Sequence, residues 1–189
     1  MKKIAIFASG TGSNALKIIQ YFEHLQNVEV CLIASNKSTA GVLDIAKENS
    51  IPTLHFTKSE FEETNHVVLI LKQLKIDLIV LAGFLWKIPT AIIQEFPNKI
   101  INIHPALLPR YGGKGMYGKY VHKAVYDSKD TESGMTIHYV NAKYDDGQII
   151  FQTKCSIEPT DNPSMIAQKV LELEHQYYSE IIDKVLKNQ

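Results

Sequence analysis

"IAIFASGTGSNALKIIQYF", residues Ile4 to Phe22, is the stretch whose reading decides the fold. It opens on a continuous apolar run, Ile4 to Ala8, of strand length and without alternation, as expected for a strand covered on both faces. Ala15, Ile18, Ile19, Phe22 and then Leu25 recur at three- and four-residue steps, which is one face of a helix. Between them lies "SGTGSN", a glycine-containing turn. Strand, glycine turn and helix in that order open a parallel α/β architecture.

The alternation continues outward from there. "VEVCLIAS" reads as the second strand, residues from about 41 to 49 as a helix, and residues around 53 to 56 as a short strand. A helix follows over about 59 to 74. "DLIVLAG" and "KIINIH" are two further apolar strands, separated by a short helix around 89 to 95. After His104 the pattern changes. The glycine-rich "PRYGGKGMYGK" leads into a helix near 120 to 126, and then come two strands, "GMTIHYV" and "QIIFQTKC". The segment joining them, "NAKYDDG", carries the Asp-Gly turn chemistry of a hairpin. A long final helix closes the chain, with Asn162 as its cap and Pro163 in its first turn. Ile166, Val170, Leu173, Tyr177 and Ile181 share one of its faces. The expected fold is a three-layer αβα arrangement on a mostly parallel central sheet. Its N-terminal half is Rossmann-like, its C-terminal part adds antiparallel strands and the long helix, and residues 1–189 make one domain.

Composition narrows the function. Among 189 residues, 20 basic and 20 acidic side chains cancel, which argues against a broad electrostatic footprint for nucleic acid or an anionic membrane. The apolar run before Ser9 is too short for a signal peptide, and "LIVLAGFLW" (Leu78 to Trp86) is far short of a membrane span. A soluble, cytoplasmic protein is expected. Cys31 and Cys155 each sit inside an apolar run and suggest no disulfide framework, and no His, Cys or acidic pair has metal-ligand spacing, so no metal is expected. His24, His55, His66 and His122 read as surface or packing residues.

Two stretches carry chemistry. In "SGTGSN", the glycines allow tight backbone, and the helix that follows presents free N–H groups to an anion, with Ser13 and Asn14 as further donors. The loop lacks the Lys of a nucleotide P-loop, and the second strand ends in Ser35, Asn36 and Lys37 without the acid that would hold a ribose. A phosphate monoester is the expected ligand, against the alternative of a plain strand-to-helix turn. In "NIHP", Asn102 and His104 lie two apart on one side of a strand that Pro105 ends. An amide donor beside a titratable imidazole suits stabilisation of an oxyanion at an attacked carbonyl and transfer of a proton. Asp145 or Asp146 in "YDDG" would favour the charged imidazole. No serine or cysteine stands out as a nucleophile, so attack by a substrate amine is expected.

"GTGSN", "LAGF", "NIHPALLP" and "GMTIHYVNAKYDDGQII", in this order over nearly the whole chain, resemble the glycinamide ribonucleotide formyltransferases of purine biosynthesis. The resemblance implies transfer of a formyl group from the co-substrate 10-formyltetrahydrofolate to the amine of 5-phosphoribosylglycinamide. It implies Asn102, His104 and Asp145 as the catalytic set, and Gly10, Thr11, Gly12, Ser13 and Asn14 as the phosphate site. Glu174 would contact the glycinamide, and Leu85, Trp86, Lys87 and Ile88, with Asn102 and Asp145, the folate. Its partners are small molecules, and the chain is a monomer or homodimer. Two departures are visible. Trp86 and Lys87 stand where better-known members usually have an arginine, and the segment after "LLP" is longer than usual. That segment, with Gly112 to Gly118 and the basic Arg110, Lys114 and Lys119, is either a mobile flap that assists anion binding or a longer surface loop. Three rivals share parts of this pattern. A methionyl-tRNA formyltransferase normally adds a C-terminal domain and a basic surface, a formyltetrahydrofolate deformylase normally adds an N-terminal regulatory domain, and a non-catalytic phospho-ligand sensor would not need the Asn-His-Asp set.

Overall fold

In a computed structural model, which describes residues 1–63 and 65–188, seven strands form one sheet in the order β3-β2-β1-β4-β5-β6-β7. These are β1 (Lys2–Phe7), β2 (Val28–Ser35), β3 (Thr53–His55), β4 (Leu78–Leu81), β5 (Ile100–His104), β6 (Glu132–Tyr139) and β7 (Ile149–Ser156). β1 to β5 pair in parallel, and β6 and β7 add to β5 in antiparallel fashion. The helices are α1 (Ser13–Glu23), α2 (Val42–Glu48), α3 (Lys58–Glu62), α4 (His66–Gln73), α5 (Thr90–Glu95), α6 (Lys119–Asp127) and α7 (Pro163–Lys187).

Strand periodicity divides the interior into two layers. Ile4 and Ile6 of β1 face a core built with Ile18 of α1, Val42 of α2 and Ile166, Val170 and Ile182 of α7. Ala5 and Phe7 face the opposite core, with Phe61 of α3, Leu71 of α4 and Ile92 of α5. Both faces of β1 are therefore covered, which is why its sequence is apolar without alternation. Ile4, Ile6 and Ile18 are fully buried, and each contributes roughly 2 kcal/mol by leaving water.

Most expected elements are present, and α7 is capped as expected, with Asn162 Oδ1 accepting from the Ser164 and Met165 N–H groups. The expected helix over 59 to 74 is instead two helices, with Thr64 outside the described residues. A capping box between Thr57 and Glu60 starts α3, and Glu63 closes it by donating its N–H to the Ser59 carbonyl. Asn65, a weak helix former, stands at the cap of α4.

The hairpin between β6 and β7 uses other turn chemistry than its Asp-Gly pair suggested. Asp145, not Gly147, takes the left-handed conformation, with φ 50°. Gly147 is needed for space, since a Cβ there would lie 1.6 Å from the Tyr139 carbonyl oxygen.

The sheet order reverses at β1, with β2 on one side and β4 on the other, so a crevice opens beyond the carboxyl ends of β1 and β4. Ser9 closes its floor. Its Oγ donates to Asn36 Oδ1 at 2.6 Å and accepts the Leu85 N–H at 3.0 Å, tying the ends of three strands together. α7 is pinned to the same region by Tyr178, 1% exposed, whose hydroxyl donates to the Leu81 carbonyl at 2.9 Å. Tyr178→Phe removes this buried donor and is expected to lower the unfolding free energy by about 1–2 kcal/mol, measured by urea denaturation.

Candidate active site

A cavity of about 1080 Å³ lies at the carboxyl ends of β1, β4 and β5, between the loop before α6 on one side and α7 on the other. Asn102, His104 and Asp145 all line it, as do Leu85, Trp86, Lys87, Ile88, Gly10, Asn14 and Glu174. Thr11, Gly12 and Ser13 do not. Gly12 is buried, in the left-handed region with φ 87°, and a Cβ there would stand 2.8 Å from Val42 Cβ. Its role in the fold is thus to let α1 start against α2. Gly10 has no such constraint and leaves open space on its cavity side.

The imidazole of His104 is 4% exposed and held at both nitrogens. Nε2 lies 2.7 Å from the Tyr111 carbonyl oxygen. That oxygen can only accept, so Nε2 carries a hydrogen and Nδ1 is the nitrogen free to gain or lose a proton. Nδ1 faces Asp145 Oδ2 at 3.5 Å. The same carboxylate oxygen accepts the Gly113 N–H at 2.9 Å. Asp146, by contrast, is exposed and lies near Lys143 and Asn141. Geometry thus separates the two aspartates that the turn sequence left equivalent.

His138 completes the cluster and was not singled out by sequence reasoning. Its Nδ1 lies 2.9 Å from the Tyr139 carbonyl, so Nδ1 is the donor and Nε2 offers a lone pair. That lone pair receives Asn102 Nδ2 at 3.2 Å, and Nε2 is also 3.7 Å from Asp145 Oδ1. Asn102 is oriented by this contact and keeps a second N–H for a ligand. A sequence signal existed. Thr136 and His138 are polar residues two apart in the apolar second half of β6, and both prove buried. Thr136 Oγ1 donates to the Ala106 carbonyl at 2.6 Å and accepts the Leu108 N–H at 3.1 Å, which holds the turn after His104.

His122, read from sequence as a surface or packing residue, is buried and lines the cavity. α6 turns it inward on the same face as Val121 and Val125. Of the basic residues in the long loop, Lys114 and Lys119 line the cavity, whereas Arg110 does not and instead pairs with Asp130 at 2.8 Å.

Burial dominates the electrostatics. It lowers the His104 pKa from its ordinary value, against the opposing pull of Asp145 and the Tyr111 carbonyl. Asp145 does favour the charged imidazole, as expected, but desolvation outweighs that pull. Burial would raise the Asp145 carboxyl, but His138, His104 and the Gly113 N–H together bring it below the usual range. Glu174, 8% exposed, is raised by burial, while Asn14 Nδ2, donating to its Oε2 at 2.7 Å, partly offsets this. Asn14 therefore donates to a protein carboxyl, where the sequence had suggested only a phosphate as its partner. Lys37, Lys87, Lys114, Lys119 and Lys143 line the cavity against the carboxylates Asp145 and Glu174, a field that draws anions. Trp86 packs edgewise on Phe84 and near Phe56 and Phe61, forming one apolar wall. Lys87 Nζ sits 5.7 Å from the centre of the Tyr144 ring.

Comparison with known proteins places this cavity in context. A family model described as formyl transferase matches residues 2–182. The chain is 42% identical over 190 residues to a chloroplastic phosphoribosylglycinamide formyltransferase of Arabidopsis thaliana, covering 97% of this chain and 65% of that protein. It is 34% identical over 191 residues to the phosphoribosylglycinamide formyltransferase of Bacillus subtilis, covering 98% and 95%. The chain thus spans just under two thirds of the plant relative's length. Among solved structures, a phosphoribosylglycinamide formyltransferase from Anaplasma phagocytophilum superposes with a TM-score of 0.90 at 28% identity, covering 99% of this chain and 88% of that one. Another from Bacillus halodurans gives 0.88 at 33%, covering 98% and 95%.

The raised Glu174 pKa gives a stability prediction of definite sign. A carboxyl raised on folding contributes stability that is present below its unfolded value and lost as pH rises through the folded one. Glu174→Gln keeps an acceptor for Asn14 and removes the buried charge. Its Tm is expected to exceed that of the unaltered protein by a few degrees at pH 8, with the gap closing at pH 4, measured by thermal scans at both pH values.

Proposed function

The chain belongs to the formyl transferase family, and we propose that it transfers the formyl group of 10-formyltetrahydrofolate to the amine of 5-phosphoribosylglycinamide in purine biosynthesis. The observation that carries this reading is the convergence of Asn102, His104 and Asp145 on one cavity, with His104 Nδ1 turned to the carboxylate at 3.5 Å. The cavity's volume suits two small ligands side by side. Its lysines suit a phosphate and the carboxylates of a folate. The Trp86 wall suits a flat heterocycle, and the Glu174 end, joined to Asn14 beside the first glycine loop, suits the glycinamide.

The geometry supports the following sequence. The substrate amine attacks the formyl carbon, and the carbonyl oxygen becomes an oxyanion. Asn102 donates its spare N–H to that oxygen. His104, neutral before the reaction because it is buried, becomes a better proton acceptor as negative charge develops beside it. Charged at Nδ1 by the proton that the attacking amine gives up, and holding it until it passes to the leaving nitrogen, it stabilises the oxyanion, with Asp145 compensating the new positive charge. The proton lost by the attacking amine then reaches the leaving folate nitrogen, which departs as the tetrahedral centre collapses. His104 Nδ1 and Asp145 stand on that route, and His138 keeps Asn102 and Asp145 aligned.

His104→Asn and Asp145→Asn are each expected to lower kcat by about 10²–10⁴-fold and to leave both substrate KM values within a few-fold. Steady-state assays of folate release check this, run with and without phosphoribosylglycinamide. Release that does not need the acceptor would instead indicate a deformylase, and no release with either substrate set would indicate a sensor.

A further inference from the structure

We propose that Arg110, Tyr111 and Asp130 form a latch outside the cavity that fixes which nitrogen of His104 carries the hydrogen, with Tyr111 as a positioning residue for the formyl transfer. The inference rests on the reading of His104 as the proton-handling group.

The hydrogen bond from His104 Nε2 to the Tyr111 carbonyl decides that Nδ1, and not Nε2, is presented to Asp145 and the cavity. It exists because the Tyr111 backbone is left-handed, with φ 56°. For a tyrosine that conformation is strained and persists only where neighbouring contacts enforce it. The enforcing contacts are on the side chain. The Tyr111 hydroxyl donates to Asp130 Oδ2 at 2.7 Å. Arg110 Nη2 donates to Asp130 Oδ1 at 2.9 Å and to the Tyr111 hydroxyl at 3.1 Å, and its guanidinium carbon lies 5.2 Å from the Tyr111 ring centre. Two residues further on, Gly113 donates its N–H to Asp145 Oδ2. One short strap thus holds both members of the His104–Asp145 pair.

None of the three latch residues lines the cavity. The Arg110 side chain is 61% exposed, so as a plain ion pair this contact would add little stability. Burial would raise the Asp130 carboxyl, but the Tyr111 hydroxyl and Arg110 hold it below its ordinary value, which keeps the latch ionised through neutral pH. The other titratable groups acting on His104 are Asp145 in the hairpin, His138 on β6 and His122 on α6. All three differ from the latch in lining the cavity.

Two variants test the latch, Tyr111→Phe and Asp130→Ala. The first deletes a single hydroxyl and keeps the ring, so folding is preserved even if the second is unstable. Nitrogen NMR of ¹⁵N-histidine-labelled protein without substrates reads the His104 tautomer directly, and steady-state kinetics across pH read its effect. Neutral His104 is expected as the Nε2–H tautomer in the unaltered protein and as a mixture with Nδ1–H in both variants. The Tyr111 carbonyl favours the charged imidazole, so loosening it is expected to move the His104 limb of the pH profile to lower pH. kcat is expected to fall about ten-fold while both KM values stay within about two-fold, as for the loss of one positioning contact. Unchanged His104 nitrogen signals overturn the proposal. So does a loss of Tm or a matched rise in KM without a tautomer change, which would make the contacts structural only. Near-normal turnover in His104→Asn would count against the catalytic reading and leave the tautomer measurement to judge the latch alone.

Discussion

Asn102 and His138 are direct partners across the first antiparallel seam of the sheet, between β5 and β6, and the site depends on that register. β5 pairs in parallel with β4 on its other edge, so its carboxyl end opens into the crevice where the sheet order reverses. β6 runs back beside it, which brings His138 against Asn102 and sends the hairpin round to deliver Asp145 to His104. A one-residue slip at this seam would turn His138 to the opposite face and leave Asn102 without its orienting acceptor.

The chemistry then follows from how little water reaches the cluster. His104 is nearly inaccessible, so burial disfavours its imidazolium while Asp145 favours it. Neither effect removes the other. A group under both pulls is sensitive to charge that appears nearby. Asp145 meets a different balance, since the Gly113 N–H donates to it and the two histidines beside it favour its ionised form despite its burial. Glu174, with one donor from Asn14, stays on the other side of that balance. Two carboxylates in one cavity thus receive distinct characters from the groups beside each, two imidazoles for Asp145 and none for Glu174.

The long glycine-rich segment after β5 contributes on both of its sides. Its inner residues, from Gly113 to Lys119, line the cavity. Its first residues are drawn outward to Asp130. The division explains why its basic residues do not act together. Lys114 and Lys119 add to the cavity's field, while Arg110 braces the backbone that holds His104.

Local pattern was sufficient for most of the elements, though not for the division between α3 and α4. Continuous apolar runs marked buried strands, three- and four-residue steps marked helices, and Asn162 and Pro163 marked the start of α7, because these signals depend on neighbours only a few residues away. Asn102 and His104 were legible for the same reason, being two apart on one strand ahead of a proline. Trp86 and Glu174 reached the site reading only through family resemblance. Long-range geometry decided the rest. Turn chemistry alone left Asp145 and Asp146 open and the family resemblance chose Asp145, whose left-handed backbone and facing of His104 belong to the folded hairpin. His138 and His122 were isolated histidines in the sequence, and became part of the cavity through strand register and helix packing. Asn14, a candidate phosphate donor in the sequence, gains Glu174 as a partner at 2.7 Å only through the packing of α7. The sequence by itself determined which residues form strands and helices and which strand end carries the reactive pair. The tertiary structure alone decided their partners, because hydrogen bonds between residues far apart in the chain exist only once the sheet order and register have been set.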